Sequence, residues 1–164
     1  EPLYPFGYGL SYSSFVLSDA VAEPAAIAAD SDGHVTVAVT LTNTGTRRAD
    51  EVVQVYTCDP IASVTRPVRE LKAFARVTLD PGAAARVVFD VPVAALGFTG
   101  RDLRYVVEPG EIQCFVGTSV KHLQTAGTVR IDGAGPVAVV PTVRFEHSVV
   151  PIAGVPLRPD TTST

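Results

Sequence analysis

Apolar and polar residues alternate with a period of two along much of this chain. His34–Thr42 (HVTVAVTLT) sets Val35, Val37, Val39 and Leu41 on one face, with His34, Thr36, Thr40 and Thr42 on the other. Successive side chains of an extended strand point to opposite faces, so this stretch predicts a strand buried on one side. Asn43-Thr-Gly45 then supplies turn-forming residues. Arg86–Val91 repeats the pattern through Val87, Phe89 and Val91, and Ile112, Cys114 and Val116 repeat it again. Glu51–Cys58 (EVVQVYTC) is β-branched and aromatic and is apolar on both faces, which suits a central strand.

Turn chemistry joins these runs. Asp80-Pro-Gly82 lies between Lys72–Leu79 and Arg86–Val91: proline presets φ at the second turn position and glycine supplies positive φ at the third. The same dipeptide in Glu108-Pro-Gly-Glu111 predicts a second reversal, between Leu103–Val107 and the strand of Ile112. Phe15–Ser18 and Gly127–Ile131 add an opening and a closing strand. Helical periodicity is confined to a turn around Pro92–Leu96. The count of about seven short strands predicts an all-β, antiparallel sandwich of the immunoglobulin type over residues 14–132.

Both ends break the pattern. Residues 1–13 (EPLYPFGYGLSYS) are rich in aromatics, glycine and proline and read as a linker docked onto something. Residues 133–164 form a proline-rich extension ending in TTST, with Val143–Val150 as one edge strand and the remainder extended or disordered.

Composition narrows the functions. Apolar residues make up 46% and charged residues 18%, as in a chain that buries a core. No apolar run approaches the roughly 20 residues that span a bilayer, so no membrane partner is expected. A net charge of −4 gives nucleic acid no electrostatic reason to bind. The chain opens at Glu1 without Met or a leader pattern and reads as a piece of a longer protein, its compartment left open. Two cysteines are too few for a disulfide framework; Cys58 at a strand end and Cys114 on a core face leave open a single bridge or, the preferred reading, two buried free thiols.

A series of motifs then runs in order: Tyr4-Pro-Phe-Gly-Tyr-Gly-Leu-Ser-Tyr12 with Phe15, Asn43-Thr-Gly45, Asp50–Tyr56 (DEVVQVY), Arg66–Lys72 (RPVRELK) with Phe74, Leu79-Asp-Pro-Gly82, Val107–Glu111, and Val116-Gly117. The series resembles the C-terminal fibronectin type III-like domain of family 3 glycoside hydrolases, together with the segment that enters it from an α/β sandwich domain. It departs from the family at Ala49, where glycine is frequent, and at Ser119–Gln124, where a polar Ser-Ser-Asp-Ile-Arg stretch is favoured. The resemblance implies a parent enzyme, a β-glucosidase or β-xylosidase, that removes terminal β-linked sugars with retention. It places the nucleophilic Asp in an N-terminal barrel and the acid/base Glu in the middle domain. No catalytic residue carries over to this chain, and the implied partners are the missing catalytic and α/β domains of the same protein.

The residues themselves offer no competing centre. A retaining glycosidase needs two carboxylates about 5–5.5 Å apart, whereas Asp50 and Glu51 are strand neighbours pointing to opposite faces. Glu108 and Glu111 flank a turn, where carboxylates are usually solvated. His34, His122 and His147 lack metal-ligand spacing, and Gly7-Tyr-Gly9 lacks the strand and helix of a phosphate loop, so no metal or cofactor is expected.

Two clusters remain. Tyr4, Phe6, Tyr8 and Tyr12 have three readings: packing on their own sandwich, anchoring to the missing α/β domain (preferred), or contacting sugar. Arg66, Arg69 and Glu70, on or beside the Asp59–Pro67 loop, form a solvated surface (preferred), an interdomain ion pair, or part of a loop reaching the active-site rim. The expected function is a non-catalytic structural module. The alternative is a free-standing carbohydrate-binding or adhesion module, disfavoured because the chain has no Trp. An apolar docking patch left uncovered also predicts weak self-association.

Overall fold

The computed structural model describes residues 3–30, 32–142 and 144–152. Among them are seven strands of nine to eleven residues: Phe15–Glu23 (β1), His34–Asn43 (β3), Ala49–Cys58 (β4), Glu70–Leu79 (β5), Ala84–Pro92 (β6), Gly110–Ser119 (β9) and His122–Asp132 (β10). Five shorter ones join them: Ala26–Ala28 (β2), Phe98–Thr99 (β7), Tyr105–Val107 (β8), Val137–Ala138 (β11) and Glu146–Pro151 (β12). A four-stranded sheet in the order β1-β3-β6-β12 faces a five-stranded sheet in the order β2-β10-β9-β4-β5. At one end β11-β8-β7 form a small third sheet, preceded by a 3-10 turn at Val93–Leu96.

The alternation explains the core. Val35, Val37, Val39 and Leu41 of β3 and Val87, Phe89 and Val91 of β6 are buried against Val53 and Val55 of β4, Ala73, Ala75 and Val77 of β5, and Ile112, Cys114 and Val116 of β9. β4 lies between β9 and β5, the central position its two apolar faces require.

Several expected boundaries move, each for a local reason. β1 continues past Ser18 to Glu23 because a bulge between Ser18 and Val21 breaks the two-residue period. At that bulge Asp19 takes φ +53, and its carbonyl accepts a 2.7 Å hydrogen bond from Arg86 Nη1. β10 begins at His122 rather than Gly127, its first half being largely polar and exposed and interrupted by a bulge at Gly127. Leu103 does not start a strand: it is exposed in the β7–β8 turn at φ +62, its N–H donating to Gly100 O.

The two Pro-Gly motifs part company. At Asp80-Pro-Gly82 the glycine has φ +75 and Ala83 N donates to Asp80 O at 3.0 Å, closing the predicted β5–β6 reversal. At Glu108-Pro-Gly-Glu111, Gly110 already belongs to β9 and pairs with Ile131, while β8 pairs with β7 and β11. The second motif therefore carries the chain from one sheet to another and closes no hairpin.

No disulfide forms. Antiparallel pairing sets Cys114 opposite Thr57 and Cys58 opposite Gln113, so the two thiols lie on opposite faces of the sheet. Cys114 is buried and burial pushes its thiol up to about 12, whereas Cys58 is only half-buried, unlike the buried pair expected.

Residues 133–152, expected outside the sandwich, contribute β11 and β12; Val143, the first residue of the expected edge strand, lies outside the described residues. So do Glu1 and Pro2 of the linker and the tail from 153 to 164.

Asn43, at the end of β3, is fully buried and joins four segments. Its Nδ2 donates to Arg47 O (2.8 Å) and Leu79 O (2.9 Å), and its Oδ1 accepts from Ser13 Oγ (2.8 Å) and Gly45 N (3.0 Å). Its main-chain N–H donates to Ala83 O (3.0 Å) and its C=O accepts from Gly82 N–H (2.9 Å) in the β5–β6 turn. Asn43→Asp keeps the shape but replaces two donors with a buried carboxylate facing two carbonyls. It is expected to lower stability by about 2–3 kcal/mol, the scale for leaving buried partners unsatisfied. Urea denaturation checks this through a lower midpoint at unchanged slope.

Candidate docking face

The outer face of β4 carries Gln54 and Tyr56, both buried although they point away from the core between the sheets. What covers them is the N-terminal segment. Gln54 Nε2 donates to Gly7 O (2.9 Å) and to Thr118 O (2.8 Å), and Tyr56 OH donates to Gln54 Oε1 (2.6 Å). Val120 N donates to Phe6 O at 3.0 Å, fixing the segment to the β9–β10 hairpin as well. Gly7 has φ +76, and a Cβ there would stand 2.1 Å from Gln54 Oε1, so only glycine fits. Downstream, the Ser11 hydroxyl lies 2.8 Å from Asp50 O and 3.0 Å from Glu51 Oε2, and Ser13 reaches Asn43.

The segment is thus fastened by its backbone and its serines, and its large side chains point outwards. Leu3, Tyr4, Phe6, Leu10 and Tyr12 are exposed, Tyr12 to 93%; Tyr8 is the most covered of them at 42%. Phe6 and Tyr56 meet edge to face with ring centroids 6.4 Å apart, and the Tyr4 and Tyr8 ring centroids lie 5.4 Å apart. A groove of about 370 Å³ runs beside the segment, lined by Tyr8, Leu10, Asp50, Gln54, Arg76 and Thr118. Hydrogen bonds from Thr78 and Arg76 hold the Asp50 carboxyl below its ordinary range.

The second cluster divides. Arg69 stacks its guanidinium 3.8 Å from the Phe115 ring centroid. Phe115 pairs across strands with Tyr56, so Arg69 belongs to the same outer face as the N-terminal aromatics. Arg66 instead turns inwards, its side chain 7% exposed. It bonds Glu70 (2.8 Å), Asp59 (3.4 Å) and Leu96 O (3.2 Å), and lies 4.6 Å from the Phe98 ring centroid. Lys72 completes the cluster, reaching Glu70 at 2.6 Å and Ala95 O at 2.8 Å. These charges clamp the Asp59–Pro67 loop and β5 to the 3-10 turn and β7. A further link joins Ser63 of that loop to Glu108.

Of the seven candidate residues, Tyr4, Phe6, Tyr8, Tyr12 and Arg69 therefore share one face, while Arg66 and Glu70 sit in an internal ion cluster. Of the residues that hold the face in place, Gln54 and Ser11 were not singled out from the sequence, and Gly7 was weighed only as part of a phosphate loop. The signal for Gln54 was a lone amide inside an apolar strand, and for Gly7 a glycine between two aromatics.

Two outcomes follow from this geometry. Gly7→Ala should detach residues 3–12, seen as faster amide exchange at Val120, while amides of β3 and β6 keep their protection. Burial raises the Glu70 pKa, but hydrogen bonds and charge from Lys72 and Arg66 outweigh it, leaving the carboxyl below its ordinary range. A depressed carboxylate contributes stability above its unfolded pKa and loses that contribution as pH falls through the folded value. Glu70→Gln should therefore be less stable than the parent at neutral pH, and the two denaturation midpoints should converge on acidification below about pH 4.

A family model described as a fibronectin type III-like domain matches residues 51–120. The chain is 44% identical over 116 residues to the periplasmic β-glucosidase of Salmonella typhimurium, a match covering 71% of this chain and 15% of that protein. It is 46% identical over 118 residues to a putative β-xylosidase of Formosa agariphila, covering 72% and 15%. The crystal structure of a β-glucosidase from Listeria innocua in complex with glucose superposes with a TM-score of 0.74 at 40% identity, over 81% of this chain and 18% of that one. The chain thus spans 15–18% of the length of these relatives. It belongs to the fibronectin type III-like domains of glycoside hydrolase family 3.

Proposed function

We propose that this domain is a non-catalytic structural module of a retaining β-glucosidase or β-xylosidase, and that it docks onto the other domains of that enzyme through its N-terminal aromatic face. One observation carries the reading: a segment fixed at its backbone by Gln54 and Val120 presents Leu3, Tyr4, Phe6, Leu10 and Tyr12 to solvent. Contiguous exposed apolar side chains on a rigid support are the mark of an interaction surface. The fraction of each relative that the chain matches supports the same reading, since those proteins are several times longer.

The test separates docking from folding. Leu10 and Tyr12 are exposed in this domain, so Leu10→Ser with Tyr12→Ser should leave the melting temperature of the isolated domain unchanged. In the complete enzyme the same pair should lower the temperature of thermal inactivation, by several degrees if two apolar contacts of about 1.5–3 kcal/mol each are lost. An unchanged complete enzyme would remove the proposal. The competing sugar-binding module has its own signature: saturable binding of cello- or xylo-oligosaccharides to the isolated domain.

A further inference from the structure

β12 differs from every other strand of the sandwich. It pairs with β6 over six residues, from Glu146 opposite Asp90 to Pro151 opposite Ala85, and Ile152 N extends the contact to Ala84 O at 3.0 Å. Yet all six of its side chains are exposed. It is held by the ladder and by a short file of rings: His147 lies 6.3 Å from Phe89, and Phe145 lies 6.4 Å from His147 and 5.7 Å from Phe74. Phe74 stands on β5, the edge of the opposite sheet, so Phe145 bridges the open side of the sandwich.

Beneath β12 lies an edge that lacks the usual protections. Strands at sheet edges avoid pairing with other chains by being short, by bulging, or by carrying proline and lysine. β6 runs nine residues, its register with β3 is unbroken, it has no lysine, and its proline is at its last position. β12 is shorter and ends in Pro151, a better outer edge. The charges of β6 also match a particular partner. Arg86 and Asp90 are its charged residues, set two positions either side of Val88 on the outer face, where they bond Thr40 and Thr36. An antiparallel pairing of β6 with its own copy, centred on Val88, places each Arg86 opposite the Asp90 of the second copy.

We propose that β12 is a cap, and that the β6 edge beneath it is a self-pairing surface whose partner is β6 of a second copy of this chain. A tethered strand acts at an effective concentration on the order of millimolar, so the cap outcompetes a second copy in dilute solution.

The experiment compares the full chain with one ending at residue 142, by sedimentation velocity, with far-UV circular dichroism confirming the fold. The shortened chain is expected to dimerise, and a peptide of residues 144–152 to return it to monomer. Arg86→Asp should abolish the dimer, and Arg86→Asp with Asp90→Arg should restore it. Self-association through the aromatic face would respond to neither. A folded, monomeric shortened chain, or a dimer indifferent to peptide and charge exchange, overturns the proposal. Should the shortened chain not fold, the full chain with Phe145→Ser and His147→Ser loosens the cap instead. That variant must dimerise and answer to the same peptide, and a monomer there overturns the proposal equally.

Discussion

The arrangement depends first on a buried amide. Asn43 stands at zero exposure where β3 ends, and both donor and both acceptor positions of its side chain are filled. A carboxamide offers two N–H groups and two oxygen lone pairs, and no other side chain of this size offers the same set. Filling them joins the end of β5, the loop after β3, and Ser13 of the entering segment, which come from distant parts of the chain. Hydrophobic burial drives the two sheets together without direction. Asn43 supplies the directional constraint that fixes how their ends meet and where the N-terminal segment enters.

A second amide extends the same logic to the surface. Gln54 lies on the side of β4 that faces away from the core, yet it is buried because Gly7 crosses it, accepting a 2.9 Å hydrogen bond and leaving no room for a Cβ. Its Nε2 divides between Gly7 O and Thr118 O, and its Oε1 takes the Tyr56 hydroxyl. Asn43 and Gln54 therefore fasten the entering segment at two points, with Ser11 between them bonding Asp50 and Glu51. Buried polar groups that are fully partnered specify one geometry, since any shift leaves a donor or acceptor stranded. The ion cluster around Arg66 does likewise for the loop at the other end of β4.

How much of this could be read from residues alone follows from the range of each interaction. The inner faces of β3, β6 and β9 were legible because one buried side imposes a two-residue period on consecutive positions. The β5–β6 turn was legible because Pro81 and Gly82 act on their own dihedrals. The bulge at Asp19 hid half of β1 by shifting that period, and the polar face of β10 gave no alternation to follow. Pro109-Gly110 misled because the dipeptide is compatible with a crossover between sheets as well as with a tight turn, and pairing partners decide between them. The aromatic cluster was visible in the sequence; that its backbone is held while its rings face outwards depends on Gln54, 47 residues from Gly7. Arg66 likewise finds Leu96 O and Phe98 only once β5 and the 3-10 turn have come together.

That combination has an energetic consequence for docking. Burying an exposed apolar side chain gains about 1.5–3 kcal/mol, but association normally spends much of such a gain on ordering loops and side chains. Here the ordering of the segment is already met by hydrogen bonds within the domain: Gly7 cannot leave Gln54 without stranding a buried amide, and Phe6 O is held by Val120 N. A partner that covers Leu3, Leu10 and Tyr12 meets a surface whose backbone no longer needs to be fixed. Rigid presentation also restricts which partner fits, because a segment unable to adjust its path fits only a complementary one. On the proposed docking, the same hydrogen bonds that keep the aromatic side chains out of their own core would make them an effective, selective contact.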